Sequence, residues 1–203
     1  MLKNPPFSLV PENTKGKETN LEHSISLNSE AEAITKYQVA RDRLFRPNCW
    51  HELAGSATAE FTLMSTEGIE KNNALELNEY ITIDIPGPGP AAGDHFDWVR
   101  ISRIMENFVD GVDESAGIQL KPCKNPFDNT KGTAHFFDES ASSTLIVQRE
   151  GSNLFAFYHG RNEVPNNDDV SFGDKVRNSL VAVAAIAGLS EIQWKSLIKG
   201  ILE

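Results

Sequence analysis

Apolar and polar residues alternate along two segments that flank a proline- and glycine-rich loop. Isoleucines occupy every second position from Ile81 to Ile85, and Val99 and Ile101 alternate with polar residues in the second segment. A period of two is typical of a strand with one buried face. Prolines within the intervening residues 86–95 lack an amide donor, so this loop cannot extend either strand. We interpret it as a semi-rigid connection, either a structural corner or the rim of a pocket.

The clearest hairpin spans residues 144–161. Gly151-Ser152 is a suitable two-residue turn, and the register that follows places Thr144 opposite His159 and Arg149 opposite Leu154. Both faces of the hairpin are apolar, which predicts a central place in the sheet or in a barrel wall. One face carries Leu145, Val147, Ala156 and Tyr158, and the other carries Ile146, Phe155 and Phe157.

Helical periodicity occurs near both ends of the chain. Ser29 and Glu32 have the spacing of a capping box and open the first predicted helix. Two helices are predicted near the C-terminus, one amphipathic helix that ends at Gly188 and a second that begins at Ser190. The apolar stripes are Ala33, Tyr37, Ala40 and Leu44 for the first helix, Val176, Leu180, Val183, Ala184 and Ala187 for the second, and Trp194, Leu197, Ile198 and Ile201 for the third.

This order of elements predicts an α+β fold. One N-terminal helix and two C-terminal helices would pack on a curved, mainly antiparallel sheet or partial barrel of about seven strands. Residues 1–28 lack any period and are interpreted as a tail that is flexible or draped over the surface, with Phe7, Leu9 and Val10 as potential anchors. Residues 29–203 are expected to form a single domain.

Composition narrows the classes of partner. The formal charge is −10 and the pI about 5.0, which opposes binding to nucleic acid or to an anionic membrane. No apolar run reaches the length of a membrane span or of a signal-peptide core, so a soluble, cytoplasmic protein is expected. Cys49 and Cys123 have no metal-ligand spacing and are interpreted as packed, reduced thiols, with a disulfide as the alternative in an exported protein.

Two polar clusters are candidates for chemistry. The first follows the loop and contains Asp94, His95 and Asp97, a histidine flanked by carboxylates. It is suited to acid–base catalysis, to binding a cation, or simply to a solvated turn. The second ends the last strand and contains His159 and Arg161, where the arginine suits an anion anchor or an ordinary strand-end ion pair. Candidate catalytic residues are therefore His95, Asp97 and His159, and candidate ligand-binding residues are Arg161, Trp98, Phe155 and Phe157.

If the sheet curves strongly, these two clusters would surround one cavity with an aromatic floor. No phosphate-binding, zinc-protease or serine-nucleophile motif occurs, and neither a metal nor a cofactor is expected. The sequence favours a binding or assembly module that holds a protein partner or small ligand on a curved sheet. The alternative is an enzyme that uses His/Asp acid–base chemistry and an arginine anion anchor on a small acidic substrate. A homodimer contact through the C-terminal helices is a further option.

Overall fold

The computed structural model describes residues 5–55, 59–84, 96–109, 113–128, 137–165 and 180–203. The predicted loop over residues 86–95, including His95, lies outside the described residues. So do Val176 of the second predicted helix and, within the last helix, the side chains of residues 180–190.

The described strands form one antiparallel sheet of eight, which is the body of the molecule. The sheet is curved and open, in the order β1-β8-β7-β6-β5-β4-β2-β3, with β1 and β3 at its edges. The predicted α+β class and curved antiparallel sheet are confirmed, with one strand more than expected. The strands are β1 Lys17–Ser26, β2 Glu60–Met64, β3 Glu70–Lys71, β4 Tyr80–Asp84, β5 Asp97–Val109, β6 Asp113–Pro122, β7 Ser142–Glu150 and β8 Asn153–Glu163.

The added strand comes from the segment interpreted as a tail. Residues Lys17–Ser26 form β1, which pairs with β8 along most of its length, so the tail interpretation is wrong for them. β1 is an edge strand with alternating burial: Thr19, Leu21, His23 and Ile25 are partly or fully buried, and the residues between them are exposed. Of these four inward residues, Leu21 and Ile25 are apolar and pack against the core, whereas the other two are polar. That explains why no clear apolar alternation marks it in the sequence.

A 3₁₀ helix over Pro5–Leu9 precedes β1 and packs on the outer face of the sheet, the face away from the α-helices. Leu9 is fully buried there, and its carbonyl accepts a hydrogen bond of 2.6 Å from the side chain of Gln119. The Phe7 ring lies 5.0 Å from the Phe157 ring, centre to centre. The expected anchoring by Phe7 and Leu9 is therefore present.

The predicted hairpin is confirmed as β7 and β8. Thr144 lies opposite His159 and Arg149 opposite Leu154, joined through Gly151-Ser152. β7 is central in the sheet and β8 is covered at its far side by β1. Tyr158 faces the helices and stacks on Trp194 at 4.7 Å between ring centres.

Three α-helices are described: α1 Glu30–Leu44, α2 Trp50–Ala54 and α3 Leu180–Leu202. Ser29 caps α1, with its side chain accepting a bond from the Glu32 amide. The predicted break at Gly188 is wrong, because α3 continues through it as one helix. An internal glycine costs about 1 kcal/mol, which the burial of the following stripe outweighs. The four predicted stripe residues of α1 are buried, as are Trp194, Leu197, Ile198 and Ile201 of α3.

The hydrophobic core lies between α1, α3 and the helix-facing side of the sheet. Three aromatic residues pack together in it. The ring centre of Phe61 in β2 lies 5.3 Å from that of Trp50 in α2 and 6.1 Å from that of Trp194 in α3. None of the helices described is long and apolar enough to span a membrane.

Candidate functional site

Arg161, the expected anion anchor, is held by the neighbouring strand. Its guanidinium donates to the carbonyls of Thr19 and Gly160 at 3.0 and 2.8 Å and to the side chain of Asn20 at 2.8 Å. Glu18 lies 3.3 Å away as an ion-pair partner, and Arg161 is 8% exposed. Its donors are largely used in joining β8 to β1, which leaves little of the guanidinium for a ligand.

His159 is also engaged by β1. Its Nδ1 lies 2.7 Å from Oδ1 of Asn20, and its Nε2 is buried with no hydrogen-bond partner in the described part of the chain. The ring stacks on Phe157 with centres 6.1 Å apart and meets Phe7 edge-on at 5.8 Å. Burial, with the positive charge of Arg161, lowers the pKa of His159 to about 4. This imidazole is therefore neutral near pH 7 and shielded from a substrate.

Asp97 and Trp98 do not join His159 and Arg161. Asp97 pairs with Ile83, a core residue, so it lies on the helix-facing side of the sheet, whereas His159 shares the outer face with Phe157. β5 and β8 are separated by β6 and β7. At about 4.8 Å per strand step, that separation is roughly 14 Å.

Register adds a displacement along the strands. His159 lies level with Thr144, Gln119 and then Arg103, five residues beyond Trp98 on β5. The total separation between Trp98 and His159 is therefore on the order of 20 Å. The hypothesis of one cavity built from both clusters is wrong for the four residues described, Asp97, Trp98, His159 and Arg161.

The expected aromatic floor is divided in the same way. Phe155 and Phe157 stack on the outer face at 6.2 Å, and the Pro5–Leu9 helix covers Phe157 through Phe7. Trp98 instead packs against Tyr80 and Phe127, with ring centres 6.4 and 5.9 Å away. These aromatic residues form two separate clusters rather than one pocket.

A cleft of about 300 Å³ lies elsewhere, between the end of α1, residues 74–77 and β5. We call it the α1 cleft. It is held in shape by a hydrogen bond of 2.8 Å from the Leu75 amide to the Phe45 carbonyl, at the C-cap of α1. Its apolar surface is supplied by Phe45, Ala74, Leu75, Leu77 and Ile104, and its charged residues are Arg41, Asp42, Arg46, Glu76 and Glu106.

Most of these charges are paired. Arg41 lies over the Phe45 ring at 5.0 Å and bonds Glu106 at 2.5 Å and Asp42 at 3.3 Å. The hydrogen bond and charge of Glu106 outweigh the effect of burial and raise the pKa of Arg41 further. Glu76 lies 3.7 Å from the ammonium of Lys71, outside the cleft. All three cleft carboxylates thus have a cationic neighbour.

Arg46 is the exception among the charged residues of the α1 cleft. It is exposed, and within the described ranges its guanidinium forms no ion pair. It follows Phe45 in sequence, so its positive charge stands beside the apolar surface of the cleft. The sequence offered no signal for this site, because the residues of the 74–77 segment carry no period and come next to α1 only through the fold.

A second, much smaller cavity of about 10 Å³ lies under α3, near Glu163. Glu163 is the last residue of β8, and its carboxylate points into the interior, toward Tyr158 and Thr19.

Comparison with known proteins gives distant structural similarity alone. No protein-family model matches the chain, and no curated protein matches it in sequence. A protein of Thermus thermophilus is 14% identical at a TM-score of 0.42, over 92% of this chain and 94% of that one. Ginseng major latex-like protein 151 from Panax ginseng is 12% identical at a TM-score of 0.40, and the match covers 88% of this chain and 97% of that one.

Truncated norcoclaurine synthase from Thalictrum flavum is 11% identical at a TM-score of 0.33, over 90% of this chain and 95% of that one. Similarity at this level carries no inference about ligand or activity. Conclusions about function therefore rest on the geometry of this chain.

Proposed function

We propose that this protein is a binding module that holds a small ligand with an apolar body and an anionic group in the α1 cleft. The observation that carries the proposal is the guanidinium of Arg46, which forms no ion pair with any described residue, beside an apolar surface whose carboxylates are already paired. A volume of about 300 Å³ falls at the lower end of the range of small-molecule sites.

The apolar part of the site supplies affinity and the arginine supplies selectivity. Leu77 is 52% exposed at the cleft and Phe45 is 5% exposed beneath it, so a ligand would cover apolar surface on entry. Such burial contributes about 25 cal/mol per Å² before the cost of immobilising the ligand. Because Arg46 is exposed, its ion pair with a ligand is expected to contribute only about 0.2–1 kcal/mol.

Acid–base catalysis has no comparable support. His159 is stacked and shielded, and Asp97 lies on the other side of the sheet. A binding role requires no group beyond those that line the α1 cleft, so we retain it as the proposal.

Paired probes test the contribution of Arg46. Naphthalene-1-carboxylate and its neutral carboxamide have nearly the same shape, so calorimetric titration of each isolates the effect of the charge. We expect the unmodified protein to prefer the carboxylate by about two- to fivefold, which corresponds to an exposed ion pair. Arg46→Ala should remove this preference and leave carboxamide binding unchanged.

The control is Arg100→Ala, which removes an exposed arginine from β5 outside the α1 cleft. It removes the same unit of positive charge and should keep the preference. If both variants behave alike, or if neither probe binds the unmodified protein, the proposed site is wrong.

A further inference from the structure

A bulge in β8 turns Glu163 into the interior. Lys17 pairs with Glu163 and Thr19 with Gly160, so two residues of β8 lie opposite the single residue between them on β1. One of these two, Asn162, has a φ of 53°, a left-handed conformation that is uncommon outside glycine. Regular alternation would place Glu163 on the outer face with His159, and the bulge reverses that direction.

Specific contacts maintain this geometry. Oδ1 of Asn162 accepts bonds from the amides of Thr14 and Lys15 at 2.8 and 3.2 Å, which fixes the left-handed residue. Gly160 leaves room for the returning side chain, because a Cβ there would overlap the Glu163 carboxylate. Asn162 and Gly160 together thus allow the Glu163 carboxylate to point into the interior.

Among the described residues, the buried carboxylate has hydroxyl partners and no cationic one. Glu163 is 7% exposed; it accepts a bond from the Thr19 hydroxyl at 2.7 Å and lies 3.4 Å from the Tyr158 hydroxyl. The ammonium of Lys17, whose charge acts on Glu163 from a distance, is bonded to Glu191 of α3 at 2.9 Å. Within the part of the chain that the structure describes, no ion pair involves Glu163. Burial raises the pKa of its carboxyl, as expected for an anion without full compensation.

The adjacent cavity is the size of one small polar group. It measures about 10 Å³, roughly the volume that the centre of one water molecule requires. Two carboxylates border it, from Glu163 and Glu191. Three aromatic residues, Phe137, Tyr158 and Trp194, line it together with Thr19 and with Lys17, whose ammonium is paired with Glu191. Apolar walls exclude water, which strengthens the attraction between a carboxylate and a cation.

We propose that this cavity is a binding site for the primary ammonium group of a small organic amine, with Glu163 as its counter-ion and Glu191 at its mouth. A primary ammonium is close to water in size, carries the charge that would neutralise the buried carboxylate, and donates hydrogen bonds to it. The remainder of the amine leaves past the Lys17–Glu191 pair, the exposed boundary between β1 and α3. This site is separate from the α1 cleft.

The test compares n-butylammonium with n-butanol, which has the same alkyl tail and no charge. Each is titrated into the full chain at neutral pH while NMR follows the indole N–H of Trp194, a wall of the cavity. We expect the ammonium to bind at least about tenfold more tightly, in line with a hydrogen bond to a charged group. Tetramethylammonium should shift the signal far less, because it exceeds the cavity.

Glu163→Gln keeps the shape of the side chain and should abolish the preference for ammonium over butanol. Glu22→Gln is the matched control, since it removes an exposed carboxylate from the same edge strand, and it should retain the preference. Persistence of the preference in Glu163→Gln, or absence of any Trp194 shift with n-butylammonium, would overturn the proposal.

Should Glu163→Gln fail to fold, the unmodified protein provides the same test. Ammonium affinity should fall as pH decreases through the raised pKa of Glu163, while butanol affinity stays constant. The other titratable groups that face the cavity are Lys17, Glu191 and Tyr158, whose hydroxyl has its pKa raised by burial. An ammonium affinity that does not change between neutral pH and the pH at which Glu163 is protonated would refute the assignment.

Discussion

Leu9→Ala tests whether the segment before β1 belongs to the folded core. Leu9 has no exposed surface, and a Cβ on Gly117 would lie 2.8 Å from its Cδ1, so the outer face of β6 is shaped around this side chain. Truncation removes buried apolar atoms and leaves a cavity, at a cost of about 2.7–5 kcal/mol. For a chain of this length, each kcal/mol lowers the thermal midpoint by about 2–4 °C, so a fall of about 5–20 °C is expected.

Urea unfolding followed by intrinsic fluorescence measures the same loss as a free energy. The matched control is Leu77→Ala, which removes the same atoms at a position 52% exposed. That control should cost less than about 1 kcal/mol, because surface substitutions have small effects. Equal effects of Leu9→Ala and Leu77→Ala would refute our conclusion that the Pro5–Leu9 helix is docked on the sheet.

Three further predictions concern the β8 end and the thiols. Gly160→Ala should destabilise the fold by about 1–3 kcal/mol in urea unfolding, since the added Cβ overlaps the Glu163 carboxylate. The folded protein lowers the pKa of His159 from its ordinary 6.5 to about 4, so the stability that this residue contributes is present above pH 6.5 and lost as pH falls toward 4. His159→Gln should flatten that part of the pH–stability curve. Burial raises the pKa of Cys123 to about 12 and also raises that of Cys49, so both free thiols should react with iodoacetamide far more slowly in the native protein than in urea.

Local patterns predicted those elements whose apolar residues are periodic. The β7–β8 register followed from one turn dipeptide and two alternating runs, and the start and buried face of α1 followed from Ser29 and the apolar stripe. β1 escaped prediction because only Leu21 and Ile25 of its four inward residues are apolar, so its alternation is incomplete. The break at Gly188 was predicted on a local preference of about 1 kcal/mol, which tertiary packing overrides.

The site residues required knowledge of strand order. Asp97 and His159 are chemically plausible partners, but only the sheet order and register reveal that they lie on opposite faces of strands separated by β6 and β7. The direction of Glu163 depends on a bulge, which a regular period of two cannot anticipate. Arg46 becomes notable only when the pairing of its charged neighbours is known. The predicted homodimer contact stays a prediction, with Ile192 of α3, 66% exposed, as its described apolar candidate.

Chemical-shift mapping of bound naphthalene-1-carboxylate tests the central claim most directly. In an isotope-labelled sample, the account predicts saturable shifts at the amides of Phe45, Leu75, Leu77 and Ile104, which surround the α1 cleft. Shifts that cluster instead around Phe155 and Phe157 on the outer face, with the cleft amides unchanged, would contradict it.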